Sequence, residues 1–140
     1  MSNIVVSPHY LSTNAGINIL NKGGNAVDAA IATNIVQGVV APETCGIGGD
    51  LFSLIWINGE STPYCLDSSG YAGSNVDISK LSTQESIPLD HPMSVTVPGA
   101  VKGWFDMHEQ FGKLSIDKIF RHAIEICDKA VSYTHLRAHE

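Results

Sequence analysis

Hydrophobic positions recur with helical spacing at the start of the chain. From Pro8 to Lys22, Leu11, Ala15 and Ile19 fall every four residues, and Ile17 and Leu20 widen the stripe. The pattern predicts an amphipathic helix with Pro8 in its first turn and Gly23 at its end. Beyond Gly23-Gly24, Asn25 is placed to cap a second helix starting at Ala26, with Asp28 three positions on as a short-armed capping box. That helix runs through Ala29-Ala30-Ile31-Ala32 toward Val36, and its mix of small and apolar residues predicts burial on more than one side.

The period then changes. Val39 to Glu43 reads as a breaker ending at Pro42, followed by Cys45-Gly46-Ile47-Gly48-Gly49-Asp50, whose glycines predict unusual backbone angles and a tight crossing. Leu51 to Ile57 is a continuous apolar run, Asn58-Gly59 is a two-residue hairpin signal, and Ser61 to Asp67 supplies the return strand. A first strand apolar on both faces predicts a covered sheet. Ser68 to Pro92 is polar and mixed, with a short helical turn at Ile78 to Leu81. Ser94 to Val97 reads as a short strand stopped by Pro98-Gly99. A helix carrying Val101, Trp104, Phe105, His108 and Phe111 follows, ended by Gly112. Ser115 caps a last helix with Ile116, Ile119, Phe120, Ala123, Ile124 and Cys127 on one face. The fold class is mixed α/β.

Composition narrows the function classes. The 140 residues suffice for one domain or part of one, and 44% hydrophobic content excludes intrinsic disorder. Charged residues make up 16%, below the quarter or so usual for a free-standing domain, which implies apolar surface buried against something else. A net charge of −6 without a basic cluster argues against nucleic acid as a partner. No apolar stretch reaches the roughly 18 residues of a membrane helix. Met1 to Val6 has no secretory signal pattern, so the default compartment is the cytoplasm. Three widely spaced cysteines, Cys45, Cys65 and Cys127, fit buried small hydrophobes rather than a disulfide framework or zinc knuckle.

Local motifs give no complete catalytic set. Gly46-x-Gly48-Gly49 precedes a strand rather than a helix and lacks a P-loop lysine, which leaves nucleotide binding a weak alternative. His135 and His139 are four apart but lack the zinc-protease glutamate between them, and no metal or cofactor is expected. His108 reads as a satisfied interface histidine, and His9, His91 and His122 belong to no cluster. Asp28, Asp50 and Asp67 adjoin tight turns, where carboxylates bond backbone amides. Cys45 has no evident histidine partner, and no serine has a nucleophile-elbow setting.

Three segments in order carry a resemblance: Gly23-Gly24-Asn25-Ala26-Val27-Asp28-Ala29-Ala30-Ile31-Ala32, Pro42-x-x-Cys45-Gly46-Ile47-Gly48-Gly49-Asp50-x-Phe52, and Val97-Pro98-Gly99-Ala100-Val101-x-Gly103-Trp104. Together with His108-x-x-Phe111-Gly112-Lys113-Leu114 and Ala123-Ile124, they make the chain similar, from about Ile4 to Ala130, to the N-terminal part of the γ-glutamyltransferase (glutathione hydrolase) family. The resemblance implies a partial αββα N-terminal-nucleophile sandwich, to which this chain gives flanking helices and a hairpin. It further implies a precursor that cuts itself into two subunits and uses the new N-terminal threonine to attack a γ-glutamyl or related acyl amide. That threonine is expected outside this chain, which alone should be inactive, with no catalytic residue of its own. The expected partners are a small acyl-amide substrate such as glutathione and the C-terminal part of the same precursor. Thr134-His135 only superficially matches a processing motif.

Two departures stand out. Where the family typically carries Asp-Phe-Arg-Glu, with the arginine holding the substrate's α-carboxylate, this chain has Asp67-Ser68-Ser69-Gly70, so Ser69 occupies the arginine position and is the one substrate-binding candidate. Residues 132–140 do not resemble a family continuation, which predicts a division into 1–131 and a divergent tail, with a non-native origin of that tail as the hypothesis to test. A non-catalytic binding or assembly module remains the alternative function.

Overall fold

The computed structural model describes residues 3–82, 86–88 and 90–129. The tail, with His135, His139 and Thr134, lies outside the described residues. The chain divides into a helical unit, from Met1–Gly46 and Trp104–Glu140, and a second unit, Ile47–Gly103.

In the helical unit, α1 (Tyr10–Asn21) and α2 (Ala26–Val40) form a hairpin around Lys22–Asn25. Pro8 lies outside α1, contrary to expectation. His9 is the cap instead, its ring accepting from the Leu11 amide at 3.2 Å. Gly23 takes φ +87°, the left-handed turn that ends α1. Asn25 and Asp28 form the expected capping box. α2 runs to Val40 rather than stopping before Val39, because Val39 and Val40 carry no breaker chemistry of their own and Pro42 acts only beyond Ala41. Val27, Ile31, Ala32, Ile35, Val36 and Val40 are buried, and α2 packs against both α1 and α5 (Ile116–Lys129). Gly16 makes the α1–α2 approach close: a methyl there would run into Thr33 Oγ1 and Val5 Cγ1.

Only part of the α5 stripe is covered. Ile119 and Ala123 are buried, whereas Ile124 and Cys127 are exposed. Trp104, in the part of α4 (Ala100–Phe111) that belongs to this unit, is buried and donates its indole N–H to Asn34 Oδ1 at 2.8 Å. A buried Trp finds a partner for its N–H in this way.

In the second unit, β1 (Leu51–Ile55) pairs antiparallel with β2 (Tyr64–Ser68), in the register Leu51↔Ser68 through Ile55↔Tyr64. The strands are shorter than the sequence predicts. They are joined by Trp56–Pro63 rather than by two residues, although Gly59 at φ +95° and the Glu60 N–H to Ile57 O bond of 3.0 Å do make a turn at Asn58-Gly59. Pro63 has no N–H to extend the ladder. The apolar run splits by face. Leu51 is buried, and Gly103 comes so near it that a methyl there would lie 2.9 Å from Leu51 Cδ2. Phe52, Leu54 and Trp56 are 67%, 75% and 63% exposed, so within this chain the expected cover on both faces is absent from that side. The short helix α3 (Ile78–Leu81) forms as predicted. The predicted strand over Ser94–Val97 does not: a 3₁₀ turn occupies Pro92–Ser94, capped by His91, whose ring accepts from the Met93 amide at 3.1 Å.

Candidate functional site

Where β2 ends, three segments of the second unit meet. Ser68 Oγ donates to Gly99 O at 2.8 Å, and the Val97 N–H donates to Tyr71 O at 2.9 Å, tying the strand exit to residues 97–99. These backbones touch so closely that a methyl on Gly70 would overlap the Val97 carbonyl, and one on Gly99 would overlap that of Ser68. Only glycine permits such contact. The loop before β1 closes the junction, because Gly49 O accepts from the Gly99 and Ala100 amides at 3.0 and 2.9 Å.

Two carboxylates complete it. Asp50 Oδ1 accepts from the Gly70 N–H at 3.1 Å and from Thr96 Oγ1 at 3.3 Å, joining all three segments through one oxygen. Asp67 Oδ1 accepts from both the N–H (2.9 Å) and the hydroxyl (2.6 Å) of Ser69. The Ser69 hydroxyl, and after it the Ser69 amide, hold the Asp67 carboxyl below the usual carboxylate range. Ser69 is exposed on this junction. The sequence marks Asp50 and Asp67 as turn-adjoining carboxylates and Ser69 only through the family resemblance; it neither joins the three nor points to Thr96. The Gly70 and Pro98-Gly99 punctuation was the available signal.

The other candidates serve structure. Asp28 is fully buried in the helical unit: Oδ2 accepts from the Asn25 and Leu114 amides at 3.0 and 3.1 Å, and Oδ1 from the Lys113 amide at 3.0 Å. The Asn25 side-chain amide donates to Phe111 O at 2.6 Å, so the cap of α2 also holds the α4–α5 turn. His108 bonds Leu114 O at 2.7 Å through Nε2, as its expected interface role requires. His122 faces Glu125 at 3.8 Å. Gly46 and Gly48 have ordinary φ angles and open space at the Cβ position, so the tight crossing expected of that run is found at Gly70 and Gly99 instead.

The cysteines also depart from expectation. Cys65 and Cys127 are exposed and Cys45 is half-buried, with all three thiols free. Partial burial pushes the Cys45 thiol up, against nucleophilic use. Among the described residues no group of His, Cys, Asp and Glu is arranged to hold a metal, and no helix is long and apolar enough to cross a membrane. An open groove between Phe105, Phe120, Ile116 and Ile124 carries charged rims but no nucleophile.

Residues 12–138 match the family described as gamma-glutamyltranspeptidase. The chain is 39% identical over 121 residues to the glutathione hydrolase-like YwrD proenzyme of Bacillus subtilis, covering 86% of this chain and 23% of that protein. It is 32% identical over 142 residues to the oxamate amidohydrolase proenzyme of Klebsiella pneumoniae, covering 97% and 27%. Among solved structures, the gamma-glutamyltranspeptidase of Pseudomonas nitroreducens superposes with a TM-score of 0.79 at 32% identity, over 89% of this chain and 38% of that one. The cephalosporin acylase of Bacillus halodurans does so at 0.76 and 29%, over 92% and 28%.

Helices with a two-stranded sheet, matched to such structures, define a partial α/β layer of an N-terminal-nucleophile hydrolase. The chain spans about a quarter of the length of the curated relatives it matches. It belongs to the gamma-glutamyltranspeptidase family.

Proposed function

We propose that this chain is the large-subunit segment of a self-processing acyl-amide hydrolase or transferase, with the catalytic threonine outside it and Ser69 facing the substrate. The observation that carries this reading is the junction at the end of β2. Asp50, Gly70, Val97 and Gly99 fix the strand exit and with it Ser69, which by the family resemblance alone stands where an arginine would hold substrate. Support for the acyl-amide class comes from the relatives' names, which include a glutathione hydrolase, an oxamate amidohydrolase and a cephalosporin acylase. The exposed face of Phe52, Leu54 and Trp56 supports the remainder of the precursor as partner. In this reading residues 1–131 are the family segment and 132–140 a non-native tail, which the nucleotide sequence of the source gene through codon 140 decides.

The test compares the full-length precursor with the 140-residue chain on a panel of acyl amides with and without the α-carboxylate, γ-glutamyl-p-nitroanilide, glutathione and 4-aminobutyryl-p-nitroanilide, turnover of any one counting as activity. Mature full-length protein should release product and the 140-residue chain none. Turnover that tracks the 140-residue chain and survives Ser69→Ala would sink the assignment.

A further inference from the structure

We propose that the Ser69 position selects a hydrogen-bond donor on the substrate, an ammonium or amide N–H, and rejects a carboxylate there. This rests on the reading that Ser69 faces the substrate. Its own basis is where the donors of this loop already point.

A serine hydroxyl has one proton and two lone pairs. The Ser69 proton is given to Asp67 Oδ1 at 2.6 Å, so only lone pairs remain to be offered outward. The Ser69 N–H goes to the same oxygen at 2.9 Å, and the Gly70 N–H goes to Asp50 Oδ1 at 3.1 Å. Three successive donors are therefore committed to two carboxylates. A carboxylate accepts and cannot donate, so it would find no free donor among these three and two like charges nearby. An ammonium would find lone pairs and a favourable field. The stretch that carries both carboxylates brings no cation of its own, since no Lys, Arg or His occurs between Lys22 and Lys80.

An internal control separates this from an ordinary turn. Asp77 and Ser79 repeat the same Asp-x-Ser geometry, with bonds of 3.1 and 2.6 Å. There the next residue, Lys80, faces the carboxylate at 3.5 Å. At Asp67 the corresponding place is taken by Gly70, bound to a second carboxylate.

The experiment uses the mature full-length protein, with Ser69→Ala and Ser69→Arg variants, and three p-nitroanilides: 4-aminobutyryl (ammonium alone), glutaryl (carboxylate alone) and γ-glutamyl (both). The expected kcat/KM ratio of 4-aminobutyryl to glutaryl is about tenfold or more in the parent, because a like-charge approach is strongly unfavourable. Ser69→Arg should shift that ratio by about tenfold toward glutaryl, mainly through KM, since guanidinium pairs with carboxylate bidentately. A parent that prefers glutaryl, with a ratio that still moves in the Ser69 variants, would overturn the inference and leave Ser69 at the substrate. The same ratio in all three proteins, or no turnover of any anilide, would overturn both the inference and the reading beneath it.

Discussion

Asp28 offers the sharpest test of how the helical unit is held together. Replacing it by alanine removes the acceptor of three backbone N–H groups, those of Asn25, Lys113 and Leu114, at 3.0 to 3.1 Å. A polar group left without a partner costs roughly 1–3 kcal/mol, and Lys113 reaches solvent, so the low end applies and the total is about 3 kcal/mol. For a chain of this size each kcal/mol moves the melting midpoint by roughly 2–4 °C, so Asp28→Ala should lower Tm by about 6–12 °C. Asp28→Asn is a graded control. With its oxygen at the Oδ2 position it keeps two of the three bonds but turns an NH₂ toward the Lys113 N–H, donor against donor. Its cost should be about 1–2 kcal/mol, below that of alanine. Thermal unfolding gives the midpoints, and hydrogen exchange of peptides spanning 111–115 reports the turn directly. An alanine variant with parental midpoint and parental exchange at Lys113 and Leu114, or an asparagine variant worse than alanine, would refute the reasoning.

Two further predictions concern the second unit. Gly70→Ala should destabilise by more than about 2 kcal/mol, because its methyl overlaps the Val97 carbonyl, whereas Gly48→Ala should change little, with open space at that position; thermal unfolding of the pair separates the two cases. The Asp67 carboxyl is held low in the fold, so its bonds to Ser69 contribute fully above the ordinary aspartate range and are lost only as pH falls through the depressed folded value. The Ser69 amide resonance should therefore titrate with a midpoint below that of an unperturbed aspartate, and Asp67→Asn should abolish that titration.

Much of the helical unit was legible because several of its helix ends carry local markers, though the start of α1 and the end of α2 do not. Asn25 and Asp28 announce the start of α2, Gly23-Gly24 the end of α1, and Gly112 with Ser115 the turn before α5. What could not be read was partnership between distant segments. Nothing local says that Asp28, a plausible cap, also binds amides 85 and 86 positions away, or that Asp50 reaches Thr96. The glycines mislead for a similar reason. The dense run at Gly46–Gly49 looks constrained by its composition, yet the steric demand falls on the isolated Gly70 and Gly99, where another backbone happens to arrive. At Ser94–Val97 local alternation lost to the cap of His91 and Pro92, which starts a 3₁₀ turn, and the Val97 N–H bonds Tyr71 O outside any strand. The candidate site was legible only through family resemblance, since an exposed serine in a polar stretch carries no periodic signal.

The helical unit is discontinuous, with residues 47–103 inserted between its two parts. On the ribosome this sets a schedule. α1 and α2 emerge first, but the residues that cover the second side of α2 and fill its cap, Ile119, Ala123 and the 113–114 amides, come only after the whole insertion has been synthesised. At roughly 5–20 residues per second the wait lasts on the order of 3–11 s, far longer than helices need to form and collapse. For those seconds the apolar flank of α2 lacks its cover from α5, and slow codons within the insertion would prolong that exposure without changing a single residue.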